Sequence, residues 1–382
     1  MQFDPSRSSD TNPSRGLACL AWFCVAWAIL LVWWGATVTT NNVGLAVPDW
    51  PLAFGQVNPS GWTKIPALFM EHGHRWLATG LGTLVAILTG WIWFRNRRSL
   101  VSYFFLLVLF ALCVGEVSLG QKYGRQHYAF AAAIGGITLL WFFRHLISRD
   151  ASLTLKLAVA ALFGVVAQAI MGGLRVQELS NTWGVFHGCF AQLYFCFLIL
   201  IAFVLTPDWL DTPRYLLANL SLQARLRSIL LFGVIFVQLV LGASLRHTHR
   251  LGVAANDVLT TGGMVWPGFD NGDLLLLFLH KVWALVVFAS IITVFLWAIQ
   301  NKRTLPIHLK IWSHLLLLMV LIQITLGVYM LLTGTPIEKN LLLTNFHVLN
   351  GLGLLAVSFV FLCFAFVQRP TLGHIAADSD RL

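Results

Sequence analysis

Apolar residues run along the chain in long blocks rather than in the alternating or one-sided patterns of a water-soluble protein. A spanning helix needs about 20 mostly apolar residues. Stretches of that kind recur at 17–38, 67–94, 101–120, 128–147, 155–174, 185–205, 228–246, 273–299, 311–333 and 342–367. The pattern therefore predicts an all-α integral membrane protein with about ten transmembrane helices. Polar tails and a linker separate the blocks: 1–16, 206–227 and 368–382. The first block is long for a signal peptide and has no small-residue cleavage site, so it is expected to stay as a membrane helix.

Composition agrees with this reading. Of 382 residues, 58% are hydrophobic and only 10% charged, against about 25% charged in an ordinary soluble domain. The net charge of +10 could suggest nucleic acid, but its placement points to topology. With the N-terminus inside, 16 of the 25 Lys and Arg, among them Arg95, Arg97, Arg98, Arg225 and Arg227, fall on the cytoplasmic side. Short loops rich in Lys and Arg stay in the cytoplasm. The expected setting is the inner (cytoplasmic) membrane, with both termini inside and no nucleic-acid partner. None of the six cysteines falls in an external loop, so they are read as packing residues and not as disulfides.

Internal repeats organise the blocks. Thr40-Asn41-Asn42-Val43-Gly44-Leu45-Ala46 follows the first and Thr248-His249-Arg250-Leu251-Gly252-Val253-Ala254 the seventh. Four outbound helices share a (Gln/Glu)-x-x-(Leu/Met)-Gly signature: Glu116 to Gly120, Gln168 to Gly172, Gln238 to Gly242 and Gln323 to Gly327. The returning helix then has a histidine near its start, at His127, His187, His280 and His347 in turn, and His74 opens the second helix. His74 to His187 is 113 residues and His280 to His347 is 67, so the first half is longer by 46, one helical hairpin. The expected plan is two pseudo-symmetric four-helix half-bundles, 17–205 and 228–367, with a helix pair at 101–147 inserted into the first.

Ionisable groups inside a bilayer are costly and usually mark function. One intramembrane histidine is most simply a packing residue; four at equivalent positions, paired within each half, are what two axially ligated haems require. Zinc or copper could use the close pairs His72 with His74 or His247 with His249, but neither has cysteine partners. The halves differ at one place. Glu71 stands three residues before His74, on the same helix face, whereas Leu277 stands three before His280. A carboxylate at one haem position only suggests that one site does chemistry while the other stores or passes electrons. The plainer alternative is a local pair with Arg75. Arg75, Arg175, Arg246, Arg250 and Lys281 lie near one level and suit haem propionates, although snorkelling to the interface explains such residues as well.

These residues resemble the haem A synthases of cytochrome oxidase assembly. The resemblance rests on Gly44-Leu45-Ala46-Val47-Pro48-Asp49-Trp50-Pro51, Glu71-x-x-His74-Arg75, Met171-Gly172-Gly173-Leu174 with His187, Leu241-Gly242-Ala243 with His280, and Leu326-Gly327 with His347. It implies that His280 and His347 hold a resident haem b and that His74 and His187 receive haem O as substrate. Glu71 would be the catalytic carboxylate as the C8 methyl is oxidised in two steps to a formyl group. Haem O synthase, oxidase assembly factors, an unnamed electron donor and a second copy of the chain are the partners to expect. Two features depart from the family. The loop from Thr39 to Pro66 has no cysteine, so a mechanism needing a loop thiol cannot operate, and the inserted pair with Glu116 and His127 has no family role. Competing readings are a bis-histidine b-type cytochrome that only transfers electrons, which leaves Glu71 unexplained, and a transporter, which would be expected to show broken helices in both halves.

Overall fold

The computed structural model describes residues 14–147, 151–206, 222–247, 257–303, 305, 307–333 and 341–366. Residues 1–13 of the N-terminal tail, the whole C-terminal tail, most of the linker, and the repeat at 248–254 with His249 and Arg250 lie outside the described residues. Ten helices among them are long and apolar enough to cross a membrane. They are α1 (Arg15–Thr40), α2 (Pro66–Arg95), α3 (Leu100–Tyr123), α4 (Gln126–Ile147) and α5 (Leu153–Gln177). Then follow α6 (Asn181–Leu205), α7 (Leu222–His247), α8 (Gly272–Gln300), α9 (Ile307–Thr333) and α10 (Leu341–Phe366).

Local chemistry sets many of the ends. Ser14, Ser152 and Ser180 cap α1, α5 and α6, each side chain accepting a first-turn backbone N–H, which satisfies a donor the helix leaves bare. Pro66 opens α2, where its missing N–H costs nothing. Asn271 caps α8 by accepting from Asp273 and Leu274. Several helices outrun their apolar windows: α7 begins at Leu222 and not near 228, because helical hydrogen bonding continues through Arg225 and Arg227 where hydropathy has already fallen. Large apolar side chains such as Phe104, Leu140, Leu230 and Leu285 remain exposed, as a lipid-covered surface requires.

The chain divides into two compact units: residues 1–207 with Arg246–His249, and 208–245 with 250–382. In the first, α1 packs on α2, α2 on α5, α5 on α6 and α6 back on α1, closing a four-helix ring. The hairpin α3–α4 lies outside that ring, against α5 and more lightly α2. Indole-to-carbonyl bonds tie the ring, Trp27 to Leu77 at 2.8 Å and Trp34 to Met70 at 2.7 Å. In the second unit α8 packs on α9 and α9 on α10, while α7 joins α8 through Trp283 and the Val234 carbonyl at 2.9 Å and joins α10 through Phe232 and Phe359.

Candidate functional site

Within the first unit, His74 of α2 and His187 of α6 come together, their ring centres 6.4 Å apart and their planes at 80°. Each ring has room because a neighbouring helix presents bare backbone. A methyl group at Gly35 would lie 2.9 Å from Cε1 of His74, and one at Gly172 would lie 3.0 Å from Cε1 of His187. The Nδ1 of His187 faces the Gln168 carbonyl at 3.1 Å. A carbonyl only accepts, so that nitrogen donates and Nε2 keeps its lone pair. The Nδ1 of His74 is buried without a hydrogen bond, an unusual cost inside a protein. Two imidazoles brought together inside one helix ring, one with a buried and unpartnered nitrogen, are a donor set that would suit haem iron.

The second unit repeats the local device. Methyl groups at Gly242 and Gly327 would lie 3.0 and 3.4 Å from Cε1 of His280 and His347. The signature glutamine does the same work wherever it occurs in a ring. Gln168, Gln238 and Gln323 donate to the backbone carbonyls of His187, His280 and His347 at 2.9, 3.1 and 3.0 Å. Signature and histidine are thus two ends of one contact between adjacent helices.

Glu71 is buried, 4% exposed, and both its oxygens are engaged. Oε1 accepts from Arg75 at 2.7 Å and Oε2 from the Val47 N–H at 2.8 Å. Arg75 also donates to the carbonyls of Asp49, Leu52 and Val47 at 2.7, 2.8 and 3.1 Å. Lys281, which follows His280 as Arg75 follows His74, likewise grips the carbonyls of Asp257 and Thr260 at 2.5 and 2.8 Å. Both cations therefore clasp the loop before their own helix.

The clasped loops share one plan, with Gly55 and Gly263 donating to equivalent aspartates. Asp49 accepts from the N–H groups of Phe54 and Gly55; Asp257 accepts from the Thr260 hydroxyl and the Gly263 N–H. The Thr260 hydroxyl, then the Gly263 N–H, hold the Asp257 carboxyl below the usual range. Paired bridges close a two-residue turn at Ala53–Gln56 and another at Thr261–Met264, with positive φ at Phe54 and Gly55 and at Gly262 and Gly263. Such turns need left-handed residues, hence the glycines. The sequence reading missed this clasp and missed Gly35. The signal was there: Asp49 to Gln56 maps onto Asp257 to Met264 at a constant offset of 208.

Of the other expected cations, Arg246 donates to the Ala36 carbonyl and Thr40 hydroxyl. The Arg175 guanidinium lies against Gly44 and Gly184, while its carbonyl accepts from the Ser180 N–H at 3.2 Å. His72 is held apart from the His74 pair by accepting from the Trp76 indole at 3.0 Å. In the inserted hairpin the pattern breaks. His127 pairs with Glu116 at 2.8 Å, and the space over Gly120 is filled by Tyr128.

Over residues 126–359 the sequence matches the family COX15-CtaA, described as cytochrome oxidase assembly protein. It is 23% identical over 353 residues to a haem A synthase of Shouchella clausii, covering 92% of this chain and 96% of that one. With the haem A synthase of Shewanella oneidensis it shares 25% over 187 residues, 39% of this chain and 53% of the relative. With that of Exiguobacterium sibiricum it shares 29% over 135 residues, 34% and 44%. A family match over more than half of the sequence, joined by relatives that bear one name, makes this chain a member of the haem A synthase family of cytochrome oxidase assembly proteins.

Proposed function

We propose that the protein is a haem A synthase of the inner membrane, converting the C8 methyl of haem O to a formyl group in two successive two-electron oxidations. The observation that carries this is the pair His74 and His187 inside one helix ring with Glu71 one turn from His74. His74 and His187 would hold haem O as substrate, and His280 and His347 a resident haem b. Bound iron supplies the oxidising power that no side chain has toward an unactivated methyl. Arg175 and Arg246 offer cations to the propionates, while Arg75 and Lys281 hold the loops beside each pocket. A redox partner must connect to the site, haem O synthase must supply the substrate and assembly factors must receive the product.

Glu71 acts as an acceptor in this scheme. With Arg75 and the Val47 N–H on its oxygens, it is fixed in place and can take a proton or balance charge that develops at the methyl. Those same bonds favour a second reading, in which Glu71 serves only to anchor the loop. Glu71→Gln keeps an oxygen for the Val47 N–H but sets an NH2 against Arg75, so turnover is read together with exchange at the Val47 amide. Slowed turnover with that amide still protected supports the chemical role, and lost protection supports the anchor.

The deciding experiment is co-expression with a haem O synthase in a host that lacks haem A, followed by haem extraction and mass spectrometry. Haem A, with a hydroxymethyl intermediate, is the expected result. Haem O returned unchanged would leave an electron-carrying b-type cytochrome as the better reading.

A further inference from the structure

We infer that the inserted hairpin α3–α4 positions the first unit's haem pocket, and that Trp50 is the positioning residue through which it acts. The inference rests on the proposed assignment of that pocket only for its functional consequence.

Trp50 lies in the clasped loop between Asp49 and Leu52, whose carbonyls Arg75 holds. On one side its indole covers bare backbone of α5: a methyl group at Gly173 would come 2.5 Å from the ring. Gly173 adjoins Gly172, the residue that receives His187. On the other side the indole packs on the hairpin, against the buried cluster of Cys113, Val117 and Ala131 with Tyr128 and Ile134. The hairpin is in turn fixed to α5. Tyr128 donates to Glu178 at 3.2 Å and Gln177 donates to the Ser118 carbonyl at 3.4 Å. The glycine signature of the hairpin has been turned to this use, since Gly120 makes room for Tyr128 where other copies make room for a histidine.

A continuous path therefore runs from α3–α4 through Trp50 to the Asp49 and Leu52 carbonyls, to Arg75 and Glu71, and so to the turn of α2 that carries His74. The second unit builds the same clasp with neither part. Val258 stands where Trp50 does, and the next residue, Leu259, is 97% exposed. The clasp folds without a tryptophan and a hairpin; the addition occurs only where haem must arrive and leave.

Hydrogen exchange read by mass spectrometry on the purified full-length protein tests this without reference to product. Trp50→Ala is expected to speed exchange at Val47, Phe54 and Gly55 by about tenfold, the factor that 1.4 kcal/mol of lost packing gives. Trp50→Phe should restore part of the protection. Val117→Ala, which alters the hairpin alone, should speed the same amides and weaken haem retention by His74 and His187, leaving the haem b spectrum of the second unit unchanged. Val258→Ala should change nothing. Wild-type exchange in Trp50→Ala or in Val117→Ala overturns the inference, as does an equal rise at Gly263, which would mean general loosening. Absence of haem A synthesis would defeat the proposed function and leave these exchange results intact.

Discussion

One turn before the pocket histidine, the first unit buries Glu71 at 4% exposure and the second buries Leu277 at 8%. The neighbours differ to match. Leu277 packs with Leu245 and Leu276, whereas Glu71 needs Arg75 and the Val47 N–H. A buried carboxylate without such partners costs several kcal/mol, and even a paired one is commonly no more stabilising than an apolar side chain of its size. The second unit demonstrates that the aliphatic solution is open to this architecture. A carboxylate kept where an aliphatic side chain fits is the mark that a residue retained for chemistry would leave, in keeping with the role proposed for Glu71.

The strongest way to break this comparison is to remove histidines one unit at a time. His280→Ala or His347→Ala is expected to abolish the low-spin haem b spectrum. His74→Ala or His187→Ala should leave that spectrum and abolish haem A. Visible spectra of the purified variants, with extracted haems weighed by mass spectrometry, check both. A full low-spin signal in His347→Ala would sink the assignment of the second unit.

Glu71→Gln should come next in size. Removing the proton-accepting group is expected to slow haem A formation by at least about a hundredfold, in the range for lost general acid–base catalysis, with near-normal haem b and accumulation of haem O or a partly oxidised haem. Wild-type turnover in this variant would make Glu71 a loop anchor. The converse, Leu277→Glu, should destabilise the second unit, because it would replace a leucine packed on Leu245 and Leu276 by a carboxylate whose i+4 cation, Lys281, already donates to the Asp257 and Thr260 carbonyls.

The glycines sharpen the comparison by degree. Adding a methyl group against a ring forces a shift that costs about 1–3 kcal/mol where packing is tight. Gly35→Ala, at 2.9 Å, should impair haem binding more than Gly327→Ala, at 3.4 Å, with Gly172→Ala and Gly242→Ala, both at 3.0 Å, near the first. Haem titration of each variant ranks them, and an inverted order would show that these contacts do not set the pockets.

How much of this could be read from the sequence follows from the kind of signal each feature leaves. The ten spans are written in hydropathy because lipid demands long apolar runs, although the runs stop where charge begins and so miss the first turns of α7. Pairing of His74 with His187 could be expected from spacing, since helical hairpins of fixed length return residues to one level. Gly35 escaped because Leu31 stands where the other copies carry Gln or Glu. The clasp left even less trace. Its bonds run from Arg75 and Lys281 to backbone carbonyls, which any residue supplies, and only the repeated Asp49 and Asp257 with Gly55 and Gly263 mark it.

The smallest expected effect tests the hairpin's own histidine. His127 occupies the place that in every other copy points a ring at a bare glycine, yet it turns to Glu116, and Tyr128 takes the glycine. Its side chain and that of Glu116 are 21% and 26% exposed. A pair so placed is worth about 0–1 kcal/mol, because solvent and lipid headgroups screen it and two side chains must be held still. The path from hairpin to pocket runs through Val117, Ala131 and Tyr128 and does not touch His127. His127→Ala is therefore expected to leave haem content, haem A yield and the exchange of the Val47 loop at wild-type values, while Tyr128→Phe, one residue along, raises that exchange. Loss of one haem equivalent in His127→Ala would reveal a further ligand in the hairpin and end the view that its copy of the histidine device has been given over to holding the loop.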